Sequence, residues 1–341
     1  MKVIETKNAV GQVLAHDITQ IIPGKFKGPV FKKGHIIKKE DIPVLLSVGK
    51  ESIYIFENDE NTLHENDAAE ILRDLCGKEN MKASLPSEGK IELFAEVDGL
   101  FLVDNDALNI VNSFGEMMIA TRSSGFIVKK GDKLAGTRII PLVIEKEKME
   151  KVKSLIKSPI LKVIPLKKKT YGLITTGNEV FHGRIKDAFT PILNAKLKAF
   201  GCEMREHVIL DDNHEEITKA ILDMLSKGVD MVLCTGGMSV DPDDKTPLAI
   251  KNSGVDIITY GAPVLPGAMF LVSYTKDNRP VLGLPGCIMY AKRTIFDLML
   301  PYILSDTKID KKLMNSLGNG GLCLNCDVCT FPNCGFGKGG H

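Results

Sequence analysis

The amino-acid sequence predicts an α/β fold with a doubly wound, mainly parallel sheet in its second half, and a mostly β region before it. Between 170 and 305, apolar runs of strand length alternate with helical stretches whose apolar residues share one face. Before 145, most apolar residues fall in short strand-like runs. We therefore expect a mostly β region of one or two modules over 1–145, a linker over 146–169, an α/β domain over 170–305 and a cysteine-rich tail over 306–341.

The first half carries local signals for strands and for two helices. In Lys90–Val97, apolar and polar residues alternate with the period of two that is typical of a half-buried strand. The Gly131-Asp132 pair lies between two apolar runs of the segment 126–144 and predicts a hairpin. One helix is expected over 62–77, begun by a capping-box pattern and ended by a glycine. The charge-rich segment 145–158 predicts a second, solvated helix.

In the second half, helical stretches lie among short apolar strands. The predicted strands are 171–175, 206–210, 229–234, 255–259 and 281–284. The predicted helices are 190–200, 213–228, 246–253 and 288–299. Pro191 and Gly201 bracket the first of these helices, and Asn213 with Glu216 makes a capping-box pattern for the second.

The charge composition excludes some classes of partner. Lys and Arg total 44 against 43 Asp and Glu, a net charge of +1, so the whole chain exerts no general attraction on nucleic acid or on an anionic membrane. No apolar run reaches the roughly 18–20 residues of a membrane-spanning helix. Residues 1–18 lack a signal-peptide pattern. We therefore expect a cytoplasmic protein that has no nucleic-acid or membrane partner.

Three predicted strands end in glycine-containing turns, and each turn precedes a helix. The turns are 175–179 (TTGNE), 234–239 (CTGGMS) and 283–286 (GLPG). In an open α/β sheet, ligands bind beyond the carboxyl ends of the strands, where free N–H groups suit phosphate. None of the turns is a G-x-G-x-x-G or a G-x-x-x-x-G-K-[ST] motif, which disfavours a standard dinucleotide or P-loop site. Three such turns at one edge favour a phosphorylated ligand.

Carboxylates lie at the same edge, after the predicted strands 171–175, 206–210 and 229–234. Because like charges repel near a phosphate, a bridging Mg²⁺ is the expected reason for them. Cap or turn roles for the pair after the second strand stay an alternative. The sequence contains no Ser/His/Asp triad signature and no H-E-x-x-H motif. The acidic residues in question are Glu179, Asp211, Asp212, Asp241, Asp243 and Asp244.

The order of these motifs resembles a known family. Five motifs occur in order between 170 and 305: TTGNEV, Asp211-Asp212, TGGMSVDPDD, PVLPGAMF and GLPGCIMYAKRTIFDLMLP. This series resembles the molybdopterin-binding domain, and it is most similar to the molybdopterin molybdenumtransferase branch of molybdenum-cofactor biosynthesis. The segment 8–17 (NAVGQVLAHD) also resembles the start of that enzyme.

The resemblance implies a reaction and a set of site residues. The reaction is the insertion of molybdate into adenylylated molybdopterin, with release of AMP and assistance by Mg²⁺, in a homodimer. The pterin-phosphate site would be lined by Thr176, Gly177 and Glu179, and the ligand would be cradled by Gly236, Gly237 and Ser239. Metal binding and catalysis would fall to Asp211 and Asp244. Pro285 with Gly286 would close the site.

Departures from the family pattern leave two hypotheses. Asn178 stands where the family usually has Asp, Ala268 stands in place of a lysine that holds the oxyanion, and Cys287 replaces an Asn. Losing the lysine removes a charge-assisted hydrogen bond at an anion site. The chain is therefore either a molybdenumtransferase or a non-catalytic protein that binds the pterin cofactor and delivers it to an apo-molybdoenzyme.

Four of the eight cysteines lie close together in the C-terminal tail, which is rich in glycine. Their spacing, C-x2-C-x2-C-x4-C, resembles the [4Fe–4S] run of bacterial ferredoxins but departs from it by one residue at the last step. Four-thiolate zinc and a free-thiol tail are the alternatives. The predicted metal ligands are Cys323, Cys326, Cys329 and Cys334.

Overall fold

The computed structural model describes residues 2–55, 60–239, 241–242 and 244–339. The chain divides into two compact units. The first comprises Met1–Glu96, Val103–Arg122 and Lys130–Lys162, and the second comprises Val97–Leu102, Ser123–Lys129 and Val163–His341. The expected boundaries at 145, 169 and 305 stay predictions.

The region before residue 160 is rich in strands, as predicted. Its strands are β1 (Lys2–Glu5), β2 (Ile18–Ile22), β3 (Phe26–Phe31), β4 (Ser52–Ile55), β5 (Thr62–His64), β6 (Met81–Ala83), β7 (Lys90–Ala95), β8 (Gly99–Val103), β9 (Met117–Thr121), β10 (Phe126–Val128), β11 (Lys133–Ile139) and β12 (Val143–Glu145). Its helices are α1 (Asp41–Ser47), α2 (Glu65–Cys76), α3 (Asn105–Ser113) and α4 (Lys146–Leu155). Within the described residues of the first unit, the largest sheet has the strand order β6-β7-β11-β9.

Two local predictions for this region are wrong. The segment 126–144 forms no hairpin, because β10 pairs with β8 whereas β11 pairs with β7 and β9. The Gly131 turn, at φ +91°, therefore connects strands of different sheets. The expected capping box at Thr62 is also wrong, since Thr62–His64 is a strand paired with β12. The side chain of His64 caps α2 instead, by accepting a hydrogen bond from the N–H of Asn66.

The second unit contains the predicted doubly wound sheet. Its remaining strands are β13 (Leu161–Pro165), β14 (Thr170–Thr176), β15 (Glu203–Leu210), β16 (Met231–Thr235), β17 (Asp256–Tyr260), β18 (Leu271–Tyr274) and β19 (Pro280–Leu284). Its helices are α5 (Asn178–Phe181), α6 (Phe189–Lys198), α7 (His214–Ser226), α8 (Thr246–Asn252), α9 (Ile295–Leu304) and α10 (Lys311–Ser316). The described residues build a six-stranded sheet in the order β15-β14-β16-β19-β18-β17. The first four strands run parallel, β18 is antiparallel to β19, and β17 is antiparallel to β18 and so runs in the direction of the first four.

Helices cover both faces of this sheet. Successive residues of β14 point to opposite faces: Leu173 belongs to the apolar cluster that contains α6 and α9, and Ile174 to the cluster that contains α7 and α8. The sequence analysis missed β18, whose four residues are all buried and offer no alternation to detect. Along the described ranges, no helix combines the length and the apolar character that crossing a membrane requires.

Candidate functional site

Four parallel strands of the second unit end at one edge of the sheet. β14 ends at Thr176, β15 at Leu210, β16 at Thr235 and β19 at Leu284. Because these strands pair in parallel, the segments that follow them meet at that edge. The predicted glycine turns and the predicted carboxylates lie in those segments.

The turn after β16 requires glycine at two successive positions. Gly236 has a φ of +84°, and a Cβ atom there would stand 2.1 Å from the carbonyl oxygen of Thr176. Gly237 has a φ of +53°, and its Cβ position lies 2.8 Å from Oγ1 of Thr246. A side chain at either position would meet both a strained backbone and a clash. The turn therefore brings backbone, rather than side chains, against the end of β14.

Tyr260, the last residue of β17, contacts the turn after β16 through its hydroxyl group. Its hydroxyl donates to the carbonyl oxygen of Met238 at 2.8 Å and to that of Ser239 at 3.3 Å. Burial and, second, the negative charge of Asp244 raise the pKa of Tyr260, so the hydroxyl stays protonated as a donor. The sequence analysis gave Tyr260 no role, since its place beside the turn depends on the strand order of the sheet.

A cavity of about 590 Å³, here called the edge cavity, opens at this edge. The turn after β16, the loop before β18 and the segment after β19 contribute its walls. Its lining includes no Lys or Arg among the described residues. Six predicted site residues line it: Gly236, Gly237, Ser239, Asp244, Pro285 and Gly286. The other lining residues are Phe189, Met238, Leu265, Pro266, Gly267, Ala268, Met269, Cys287, Met289 and Tyr290.

The other predicted pterin-site residues lie beside the edge cavity. Oγ1 of Thr176 is 3.2 Å from Oγ1 of Thr246, underneath the Gly-Gly turn. Gly177, with a φ of +133°, begins α5, and Glu179 lies in the exposed first turn of that helix. Asp211 follows β15 directly. None of these four predicted residues is among those that line the cavity.

Asp212, to which the sequence analysis assigned no specific role, lies at the centre of the acidic group. Its Oδ2 accepts a hydrogen bond from the backbone N–H of Asn178 at 3.2 Å. Burial raises the pKa of Asp212, and the negative charges of Asp244, Glu179 and Asp211 raise it further. Three carboxylates therefore act on one carboxyl group, and a cation bound there would relieve their repulsion.

The two predicted catalytic carboxylates have backbone partners. Oδ1 of Asp211 accepts the N–H of Asn213 at 3.2 Å, the turn role that the sequence left open. Oδ2 of Asp244 accepts the N–H of Asp241 at 3.1 Å, and Asp243 lies outside the described residues. Carboxylate oxygens are the ligands that Mg²⁺ takes, so the donor chemistry fits. Over the described ranges, however, no three His, Cys, Asp or Glu side chains are grouped so as to hold a metal ion.

A polar network that the sequence analysis missed positions α6 behind β14. Oδ1 of Asp187 accepts the N–H groups of Phe189 at 2.8 Å and Thr190 at 3.1 Å. Burial pushes the pKa of Asp187 upward, but hydrogen bonds from Thr190 and Phe189 outweigh it and lower the pKa. Nε2 of His207 lies 3.1 Å from Oγ1 of Thr175. An Asp just before a helix is a capping signal that would have identified Asp187.

The four tail cysteines line a second cavity, of about 250 Å³, here called the tail cavity. Lys292, Arg293 and Phe331 contribute to its walls. A hydrogen bond with the backbone of Phe331 and, second, one from the Arg293 guanidinium lower the pKa of the Cys329 thiol. The structure thus brings Cys323, Cys326, Cys329 and Cys334 to one place, while the metal expected there stays a prediction.

Two families match parts of this chain. Residues 172–305 match the family described as "Probable molybdopterin binding domain". Residues 3–57 match a domain of unknown function, DUF8806. The first match spans nearly the whole six-stranded sheet and all three segments that carry the carboxylates.

Curated relatives match the chain over part of their length. The molybdopterin molybdenumtransferase of Synechococcus elongatus is 30% identical over 124 residues, which are 34% of this chain and 31% of that protein. The molybdenum cofactor synthesis protein cinnamon of Drosophila melanogaster is 26% identical over 243 residues, 68% of this chain and 39% of that protein. The chain thus spans about a third of the length of the transferase and about two fifths of the fly protein.

Solved structures resemble part of this chain. The protein CinA of Thermoplasma acidophilum has 20% sequence identity and a TM-score of 0.35, and it covers 40% of this chain and 98% of its own. The tungsten cofactor synthesizing protein MoaB of Pyrococcus furiosus has 18% identity and a TM-score of 0.34, covering 42% of this chain and 99% of its own.

Proposed function

We propose, from the premise that residues 172–305 are a molybdopterin-binding domain, that the chain binds adenylylated molybdopterin and inserts molybdate with release of AMP. The observation that carries the proposal is the edge cavity of about 590 Å³, lined by the turns after β16 and β19 with Asp244 in its wall. Its volume is that of a site for a small ligand. Its position, beyond the carboxyl ends of parallel strands, is where α/β sheets bind nucleotides and similar ligands.

The charge of the edge cavity supports a requirement for Mg²⁺. The phosphoanhydride of the substrate is anionic, and the described lining offers neither Lys nor Arg to neutralise it. Asp244 and one of the neighbouring carboxylates of Asp211, Asp212 and Glu179 would hold the cation, with phosphate oxygens and water completing its coordination. When bound, Mg²⁺ supplies positive charge to the phosphate oxygens and stabilises the charge that develops as AMP leaves.

The chain's own residues bind and orient the ligand in this proposal. The backbone of Gly236 and Gly237 approaches the phosphate closely because neither residue has a side chain, and the Ser239 hydroxyl donates a hydrogen bond. The terminal phosphate of the pterin would extend beyond the cavity wall toward Thr176, Gly177 and Glu179, and Pro285 with Gly286 would close the ring end. Tyr260 keeps the turn in place through the carbonyl of Met238.

A pterin-binding protein without transferase activity is the second candidate. Ala268 in the cavity wall favours it, because the lysine expected at that position would hold an oxyanion. In this case the chain binds the cofactor and passes it to an apo-molybdoenzyme. Both candidates include a homodimer and a cytoplasmic location, where closely spaced thiols stay reduced. Both also include a metal, as an iron–sulfur cluster or zinc, on the tail cysteines.

The test is incubation of the full chain with adenylylated molybdopterin, molybdate and Mg²⁺, followed by measurement of AMP and of protein-bound molybdenum. AMP released in proportion to bound molybdenum, and suppressed by EDTA, supports the transferase. Retention of the pterin without AMP release supports the delivery protein. A chain that neither retains the pterin nor releases AMP contradicts both.

A further inference from the structure

The stretch 322–330 of the C-terminal tail is mostly exposed, although Phe336 further along is buried in the apolar cluster that contains α6 and α9. From 317 to 339, the described residues form turns and one isolated bridge, with no helix or strand. Leu324 and Val328 are exposed by 78% and 77% of their surface, so the segment buries few of its own apolar side chains. All four cysteines are free thiols, so no disulfide closes it. A short segment of this kind needs a bound group to fix its conformation.

Two cationic side chains beside the thiols, Lys292 and Arg293, indicate that a group bound there would be negatively charged. Nζ of Lys292 donates to the carbonyl oxygens of Cys326 at 3.1 Å and Asp327 at 2.8 Å. The guanidinium of Arg293 lies 4.9 Å from the centre of the Phe331 ring and donates to Asp297 at 3.0 Å. Both cations line the tail cavity with the cysteines. A net negative group surrounded by thiolates matches this arrangement.

Building on the proposed pterin-binding function, we propose that Cys323, Cys326, Cys329 and Cys334 hold a [4Fe–4S] cluster, and that this cluster fixes the adjoining wall of the edge cavity. The cysteines take up a preformed core. Each thiol loses its proton to solvent as its sulfur bonds to one iron, so no electron is exchanged. The thiolates outnumber the positive charge of the core, which leaves the loaded group negative.

The arrangement of the thiols favours a cluster over a single zinc ion. Zinc needs its sulfur ligands at about 2.3 Å from one point. Within the described ranges, no three His, Cys, Asp or Glu side chains are grouped so as to hold a metal ion, which disfavours a preformed site for either metal. All four cysteines nevertheless line one cavity of about 250 Å³, a volume larger than a single ion needs. A cluster places its thiolates at separate corners of a bulky core, which suits ligands spread around a cavity.

The tail is attached to two walls of the edge cavity. The N–H of Leu265 donates to the carbonyl of Gly321 at 2.8 Å, and the N–H of Cys323 donates to the carbonyl of Leu265 at 2.8 Å. Leu265 itself lines the edge cavity. On the other side, Lys292 follows the lining residue Tyr290 by two positions. An ordered tail therefore holds both segments in place, and pterin affinity depends on it.

Metal analysis of anaerobically purified full-length protein tests the site. We expect about four irons and four acid-labile sulfides per chain, with the broad absorption of a cluster. Cys326→Ser and Cys329→Ser change exposed thiols, so the variants keep the wild-type circular dichroism while losing most of the iron. Cys287→Ser, a thiol outside the tail, keeps the iron content. One zinc without iron, or no metal at all, overturns the cluster.

Titration of molybdopterin against the loaded and the cluster-free protein tests the link to the edge cavity. We expect the dissociation constant to be about five- to tenfold higher without the cluster, the range of ordinary coupling between two sites. Equal dissociation constants would overturn the link. Iron without pterin binding defeats only the proposed function, and pterin binding without iron defeats only the cluster.

Discussion

The two cavities of the second unit are built in opposite ways. The edge cavity stands on β14, β16 and β19, whose residues are buried almost throughout. The tail cavity is built from turns that follow α10 and carry exposed apolar side chains. The first is therefore shaped by the folding of the sheet, before any ligand binds. On our proposal, the second gains its shape from the metal group it binds, so the two cavities contrast a preorganised site with a ligand-ordered one.

Gly236→Ala has the largest expected effect, because it adds a side chain to the turn whose backbone shapes the edge cavity. The new Cβ would stand 2.1 Å from the carbonyl oxygen of Thr176, on a residue at φ +84°. We expect destabilisation by about 3 kcal/mol and loss of most pterin binding, measured by thermal unfolding and ligand titration.

Gly136→Ala, in β11 of the first unit, is the matched control. Nothing lies within 4 Å of its Cβ position, and its φ is outside the left-handed region. Its stability and pterin affinity should stay close to those of the wild type. Equal effects of the two substitutions would contradict a cavity shaped by the backbone of the turn after β16.

Asp244→Asn should separate chemistry from binding within the edge cavity. Removing the charge costs stabilisation of the transition state more than binding of the ground state. We expect Mg²⁺-dependent AMP release to fall by about 100-fold or more, with pterin affinity and tail iron content unchanged. The control is Asp241→Asn, which leaves its backbone hydrogen bond to Asp244 intact. Full AMP release by the Asp244 variant would end the catalytic assignment.

Ala268→Lys tests why the edge cavity lacks a cation. Ala268 is half-buried in the cavity wall, at the position where the family pattern has a lysine. A charge-assisted hydrogen bond to an oxyanion is worth about 1.5–3 kcal/mol, so AMP release should rise by about tenfold or more. Ala268→Met, a neutral side chain of similar length, should produce no gain. Kinetics at saturating Mg²⁺ distinguish them, and a lysine variant without gain would favour the delivery protein.

Asp212→Asn has the smallest expected effect. The folded-state pKa of Asp212 lies above its unfolded value, so ionisation of the carboxyl group costs folding stability. The wild type loses stability as pH rises from the unfolded pKa through the folded one, whereas the amide does not titrate. At neutral pH we expect a Tm increase of at most about 2 °C, together with weaker Mg²⁺ binding.

The pH dependence of the Tm difference between Asp212→Asn and the wild type tests the direction of the pKa shift of Asp212. The Tm difference should vanish in acid, below both pKa values, where Asp212 is neutral in the folded and unfolded states. Asp256→Asn, at an exposed position of β17, controls for a general effect of removing charge. A Tm difference that grows in acid would contradict the burial and the repulsion inferred for Asp212.

The sequence by itself determined the features that depend on residues close together in the chain. The alternation of strands with amphipathic helices predicted the sheet and both of its covered faces. The glycine turn at 236–237 was visible because only glycine tolerates its backbone conformation. The cysteine spacing predicted that four thiols would share one place, and they line one cavity.

Only the tertiary structure decided which distant segments meet. The hairpin predicted at 126–144 does not form, because β10 and β11 pair with strands of different sheets. Tyr260 reaches the Gly-Gly turn, and Leu265 reaches the cysteine tail, only because β17 and β18 form the sheet's far edge. Asp212 feels the charges of two carboxylates distant in sequence, Asp244 and Glu179, because the fold brings them near it. Local periodicity records which face of an element is apolar, whereas pairing between distant segments depends on the free energy of the whole fold.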